Sequence, residues 1–319
     1  MAGEIAFIIL GLALLLIAGD MLVRGAVGLA TALKIPALVV SLTVVAFGTS
    51  APELVVTVQA VLTGNPGIAL GNIIGSNIAN ILLVLGLPAL IYPISAHVKG
   101  LRRHAVILLI ATALFSGFGY IEGGIDFHAG MALFAGILAY VAYMWIRAAR
   151  GAANEPLIDE VADYGVRSRP AIRTILFIVA GLIGLPLGAH LLVANAASLA
   201  ANLGVREEVV GLTIVAFGTS APELATVVAA AFHKKSDVAM GGVVGSNIFN
   251  LLAVGGAAGL AGGASFGETS LILDLPVMIA AALAVAICIF LRRDIGRMSG
   301  LLMCLAYAGF IAALATLGV

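Results

Sequence analysis

A thirteen-residue stretch occurs twice in this chain. Leu42–Leu54 reads LTVVAFGTSAPEL and Leu212–Leu224 reads LTIVAFGTSAPEL, with twelve of thirteen positions matching at an offset of 170. The same offset lays GSNIANIL, Gly75–Leu82, on GSNIFNLL, Gly245–Leu252. Self-similarity at one fixed offset is the mark of a duplicated structural unit. The fold must therefore be built from two related halves.

The surrounding medium follows from composition. Of 319 residues, 62% are hydrophobic and 10% charged, whereas a soluble domain is about half apolar and roughly a quarter charged. Soluble enzymes, nucleic-acid binders and disordered chains are excluded. Sixteen Lys+Arg balance sixteen Asp+Glu, so net charge gives no sign of a charged partner. Apolar runs bounded by charge, Gly or Pro give ten expected spans, near residues 5–22, 38–61, 67–91, 105–119, 128–146, 172–193, 208–231, 238–261, 273–291 and 299–317. Each approaches the ~20 residues that cross a bilayer as a helix. The first is not expected to be a cleaved signal, since Met1–Glu4 carries no basic residue. Thirty-nine glycines and few aromatics suit helices whose backbones pack closely in lipid. Cys288 and Cys304 sit in apolar stretches and read as packing residues.

Basic residues are retained on the cytoplasmic side of short loops. With the N-terminus outside, 15 of the 16 Lys and Arg fall on the inner side, and only Arg206 lies outside. Losing one span would scatter them over both faces. The expected fold is an all-α membrane protein of ten transmembrane helices, with both termini outside, crossing the plasma (inner) membrane many times. Residues 1–147 form the first five-helix repeat, 148–171 a cytoplasmic linker and 172–319 the second repeat. Five is odd, so the second half enters from the opposite face and the two are inverted repeats. In transporters built this way the binding site lies near the midplane, at the interface between repeats.

Packing alone would preserve apolar residues, yet what repeats here is polar. Glu53 and Glu223 each lie in the middle of a 24-residue apolar run, where a carboxylate costs about 3 kcal/mol or more to insert. Two buried like charges that meet need protons or a bound cation. Pro52 and Pro222, with Gly48 and Gly218 before them, should break each helix at mid-membrane, freeing carbonyls around Ala46–Thr49 and Ala216–Thr219. Such backbone is tolerated at that depth only where it lines a cavity or is buried in protein. Thr49 shares a helix face with Glu53, and Thr219 with Glu223; Ser76 pairs likewise with Asn80, and Ser246 with Asn250. Asn77 and Asn247 point elsewhere, toward freed backbone groups. The donors are carboxylate, hydroxyl, amide oxygen and carbonyl. All-oxygen ligation selects hard cations such as Ca2+ and Na+ over Zn2+ and Cu2+, while Mg2+ gives up water reluctantly. Because both ions would use the same glutamates, they should exclude one another, which is the condition for exchange.

At these residues the chain resembles the cation/calcium exchanger superfamily, and within it the bacterial and archaeal sodium/calcium exchangers. GTSAPE occurs at Gly48–Glu53 and Gly218–Glu223, paired with GSNIAN at Gly75–Asn80 and GSNIFN at Gly245–Asn250. The resemblance covers nearly the whole chain and implies four cation sites clustered at mid-membrane. Ca2+ would be held by Glu53, Glu223 and the carbonyls of Thr49 and Thr219. Flanking Na+ sites would use Ala46, Thr49, Ser50 and Ser76 on one side and Ala216, Thr219, Ser220 and Ser246 on the other, with Asn80 and Asn250 completing the middle. It further implies three Na+ exchanged per Ca2+, with spans one and six sliding over the other eight. No cofactor beyond the transported ions is expected, and the working unit is expected to be a monomer. The position matching Asn250 is Asp in some exchangers, including potassium-dependent ones. Asn at both middle positions argues against K+ co-transport.

The leading expectation is thus a Na+/Ca2+ antiporter working by alternating access. The alternatives are a Ca2+/H+ or K+-dependent cation antiporter using the same glutamates, and a channel. An intramembrane hydrolase using Ser50 or Ser220 is disfavoured, because neither motif span holds a histidine base. Asp20 and His190, 170 apart, are expected near the ends of spans one and six. Glu122, Asp126, Glu207, Glu208 and Glu268 read as outer loop charge, and His97, His104 and His233 as part of the inner basic loops. Gly71 and Gly75, like Gly241 and Gly245, are expected to serve packing within one chain, and Pro186 to kink span six.

Overall fold

The computed structural model describes residues 2–32, 50–98, 100–149, 171–232 and 236–317, and these are almost wholly helical. In chain order the helices are α1 (Ala2–Ala32), α2 (Ala51–Leu62), α3 (Pro66–Ile91), α4 (Leu101–Glu122), α5 (Phe127–Ala149) and α6 (Ala171–Leu203). They continue with α7 (Glu207–Thr219), α8 (Ala221–Phe232), α9 (Ser236–Phe249, running on to Ala261), α10 (Ser270–Phe290) and α11 (Arg297–Leu317). Two short strands, β1 (Gly124–Ile125) and β2 (Ala264–Ser265), pair antiparallel.

Eight of these helices are long and apolar enough to cross a membrane, and α7 with α8 makes a ninth if that pair, bent by 44°, is one span. For the expected span 38–61 only α2 and Ser50 are described, residues 38–49 lying outside the described set. The same is true of Ala46, Gly48 and Thr49, and of nearly all the linker 148–171.

Two helices run well past their expected ends. At 31 residues α1 is about 46 Å long, and charge does not stop it because Arg24 Nε donates to Asp20 at 2.7–2.8 Å one turn away. Asp20 therefore lies inside α1, close to the end of its apolar span Gly3–Met21, as expected. His190 is likewise interior to α6, which spans 33 residues and carries Pro186 within one continuous helix. His104, expected in an inner loop, lies in α4, buried, its Nδ1 2.8 Å from the Tyr140 hydroxyl.

The duplication is visible in two short backbone pairings. Ile125 pairs with Ala264 in the β1–β2 ladder, and Ile94 pairs with Ile295 in an isolated bridge. Adding 170 turns 94 into 264 and 125 into 295, so each pairing is the other's counterpart with partners exchanged. α1 and α6 run antiparallel, Gly11 lying against Gly188 and Gly28 against Thr174. Together they build one apolar cluster with faces of α2, α3 and α7, and the remaining helices build a second. α3 and α9 are buried along most of their length, whereas α1, α5, α6 and α11 leave large apolar side chains exposed. Such faces suit acyl chains, not water.

Candidate ion site between the repeats

The helix break expected from Gly218 and Pro222 falls at Ser220. α7 ends there (φ −81°, ψ 6°) and α8 starts at Ala221, with Pro222 in its first turn, where a missing N–H costs nothing. Ser50 precedes α2 with nearly the same backbone (φ −90°, ψ 8°). Glu53 and Glu223 thus lie in the first turns of α2 and α8, both buried. Carboxylates there face the positive end of the helix dipole.

The two halves then cross. Ser50 Oγ lies 3.4 Å from Glu223 Oε1, and Ser220 Oγ lies 3.4 Å from Glu53 Oε1. These contacts are equivalent under the offset of 170, and each joins one repeat's hydroxyl to the other's carboxylate. Ser246 Oγ also reaches Glu223 Oε1, at 3.5 Å. Ser76 takes a different partner: it donates to Asn72 O at 2.7 Å and accepts Asn250 Nδ2 at 3.2 Å. Among the described residues, neither amide atom of Asn80 and not the Oδ1 of Asn250 has a hydrogen-bond partner, although both residues are fully buried. The carbonyl of Ala216 accepts Ser220 N at 3.1 Å and Thr219 Oγ1 at 3.3 Å.

Asn77 and Asn247 serve the backbone, as their spacing suggested. Asn77 Nδ2 donates to Ile73 O at 2.7 Å, and Asn247 Nδ2 crosses to Asn77 O at 3.1 Å, tying α9 to α3. Gly71 and Gly75 pack within the chain: a Cβ on either would sit 2.5–2.8 Å from backbone of α7.

Two features escaped the sequence. Asn80 and Asn250 each open a segment of π-helix, Asn80–Leu85 and Asn250–Val254. Such wide turns occur often at functional sites, but no residue pattern signals them. The second is Asn72, which donates to Glu53 O at 3.2 Å and Thr57 Oγ1 at 2.9 Å while its Oδ1 accepts Thr219 Oγ1 at 3.0 Å. It ties the start of α2 and the end of α7 to α3. Its counterpart is Gly242, so a search for repeated polar residues passes over it.

Comparison with known proteins agrees with this architecture. The family profile described as "Sodium/calcium exchanger protein" matches residues 3–148 and 173–316. The chain belongs to the sodium/calcium exchanger family. Its members are membrane transporters working by antiport, not enzymes. The chain is 35% identical to a putative antiporter, CaxA, of Alkalimonas amylolytica, over 95% of this chain and 96% of that one. It is 31% identical to the sodium/calcium exchanger MaX1 of Methanosarcina acetivorans, over 96% and 97%. The structure of the sodium-calcium exchanger NCX_Mj soaked with zero Na+ and Ca2+ superposes with a TM-score of 0.64 at 30% identity, covering 98% of both chains. That exchanger shares its helical fold.

Proposed function

We propose that this family member exchanges Na+ for Ca2+ by alternating access, three Na+ for one Ca2+, the ions being substrates held between the repeats. The observation that carries the reading is the reciprocal pair of contacts, Ser50 to Glu223 and Ser220 to Glu53, at 3.4 Å. A direct O–H···O− bond would be 2.5–2.7 Å. Oxygens set at right angles around one cation with ~2.4 Å bonds lie about 3.4 Å apart. The spacing suits ligands shared around an ion.

In this reading Ca2+ takes Glu53, Glu223 and the carbonyls of Thr49 and Thr219. The Thr219 hydroxyl is already engaged with Asn72, which leaves its carbonyl as the donor. Na+ takes Ala46, Thr49, Ser50 and Ser76 on one side and Ala216, Thr219, Ser220 and Ser246 on the other. Asn80 and Asn250 supply amide oxygens between them, and their unbonded atoms support that role. Two carboxylates neutralise one Ca2+ or share two or three Na+, so occupancy by one ion excludes the other. The separate apolar cluster around α1 and α6 supports sliding of that pair across the site. The two repeats, 1–147 and 172–319 about the linker 148–171, supply ten spans with both termini outside. The setting is the plasma membrane and the working unit a monomer.

The test is Ca2+ uptake into proteoliposomes. Vesicles loaded with Na+ should accumulate radioactive Ca2+ only down an outward Na+ gradient, and Glu53→Gln should abolish uptake with the fold intact by circular dichroism. Uptake driven by a pH gradient without Na+ would assign proton exchange instead, and a requirement for K+ would overturn the argument from Asn250.

A further inference from the structure

Where α4 begins and α10 ends, the chain encloses a cavity of about 380 Å3 that includes His97, Gly100, Arg102, Arg103, Ile289 and Arg292 in its lining. Arg102, Arg103 and Arg292 line it at the start of a 22-residue helix that carries no side-chain cap, and the positive end of the helix dipole there favours an anion. Arg102 is anchored across the cavity, its Nη2 donating to Phe290 O at 2.8 Å. The nearby Asp294 carboxylate is already engaged, its Oδ1 meeting Ser95 Oγ at 2.8 Å, Ala96 N at 3.1 Å and His97 Nδ1 at 3.0 Å.

A separate observation concerns Arg292. It closes α10 in the left-handed region (φ 52°), with Arg293 N reaching back to Cys288 O at 2.8 Å. Glycine is the usual occupant of such a position, and α4 ends on one, Gly123 (φ 71°). An arginine stands here where a Cβ is disfavoured.

Below the cavity the surface is apolar. α4 and α10 run antiparallel, fixed by Arg102 against Phe290 at one end and Gly119 against Leu275 at the other. That register sets Val106 level with Ile287 and Ile110 level with Leu283, and all four are exposed. Arg102, Val106 and Ile110 follow one helix face at intervals of four.

We propose that this cavity binds an anionic phospholipid, the arginines and the start of α4 holding its phosphate while its chains lie along the exposed face of α4 and α10. Basic pockets between membrane helices are suited to such headgroups. The site is independent of the ions transported.

The test is thermal melting of the purified full chain in detergent, titrated with phosphatidylglycerol, with phosphatidylcholine of the same chains, or with inorganic phosphate. Phosphatidylglycerol alone should raise the midpoint. Arg102→Gln and Arg103→Gln should each weaken its apparent affinity about fivefold. Arg292→Gly should weaken it equally while raising the lipid-free midpoint, because it removes the strained Cβ, so loss of folding cannot account for the result. Arg297→Gln, basic and near but outside the cavity, should leave the affinity unchanged. An equal response to phosphatidylcholine or to inorganic phosphate, no response to phosphatidylglycerol, or equal weakening by Arg297→Gln would overturn the proposal.

Discussion

Serines that cross from one repeat to the other's carboxylate make a prediction the pseudo-symmetry itself supplies. Ser50→Ala and Ser220→Ala should lower Ca2+ uptake by similar factors in the Na+-gradient assay; a large effect from one alone would mean the halves do not share the work. Asn72 has no such twin. Asn72→Ala removes the donor to Thr57 Oγ1 and to the Glu53 carbonyl and the acceptor of the Thr219 hydroxyl, and each buried bond lost costs about 0.5–1.5 kcal/mol. Its melting midpoint should fall well below that of Thr57→Val, which breaks only one of the three bonds. Most of the candidate site was legible because polar residues recur in apolar runs: Glu53, Ser50 and Asn80 announce themselves with their copies. Asn72 was not, because Gly242 replaces it in the second half. What an asymmetric residue does can be read only from its contacts.

Helix types and limits were harder to read than helix positions. The break at Ser220 follows from Gly and Pro, but the π segments at Asn80 and Asn250 depend on packing that no local pattern encodes. α1 exceeded its expected span because a charge was taken as an end, whereas Arg24 and Asp20 neutralise one another on the helix surface. Close contact between α3 and α7 rests on absent side chains. A Cβ on Gly75 would lie 2.7 Å from both the Leu212 carbonyl and Ala216 Cβ, so Gly75→Leu should destabilise the protein by about 3 kcal/mol or more, read as a lower melting midpoint. In α6, a Cβ on Gly188 would stand 3.0 Å from Gly11 O and Leu15. If α1 and α6 move together, Gly188→Val should alter turnover while the half-saturating Ca2+ concentration stays near its usual value.

For the whole molecule, exchange of three Na+ for one Ca2+ carries one net charge, worth about 2.3 kcal/mol per 100 mV, so uptake should follow an imposed potential; indifference to voltage would rule out that ratio. Acid acts on the fold through Asp294. Burial pushes its carboxyl up, but bonds from Ser95, His97 and the Ala96 N–H outweigh that and hold it below the ordinary aspartate value. The folded value lies under the unfolded one, so the stabilisation is complete above the unfolded ~3.9 and fades as pH falls through the lowered value. Asp294→Asn should therefore melt below the parent near neutrality and match it in strong acid. The two backbone pairings, Ile94 with Ile295 and Ile125 with Ala264, bear on a different question. They fasten the scaffold by the same stitch at either end, exchanged between copies. A carrier so made has no built-in forward sense. The concentrations on each side decide which cation leaves, and the cycle should run backward as readily as forward when those are reversed.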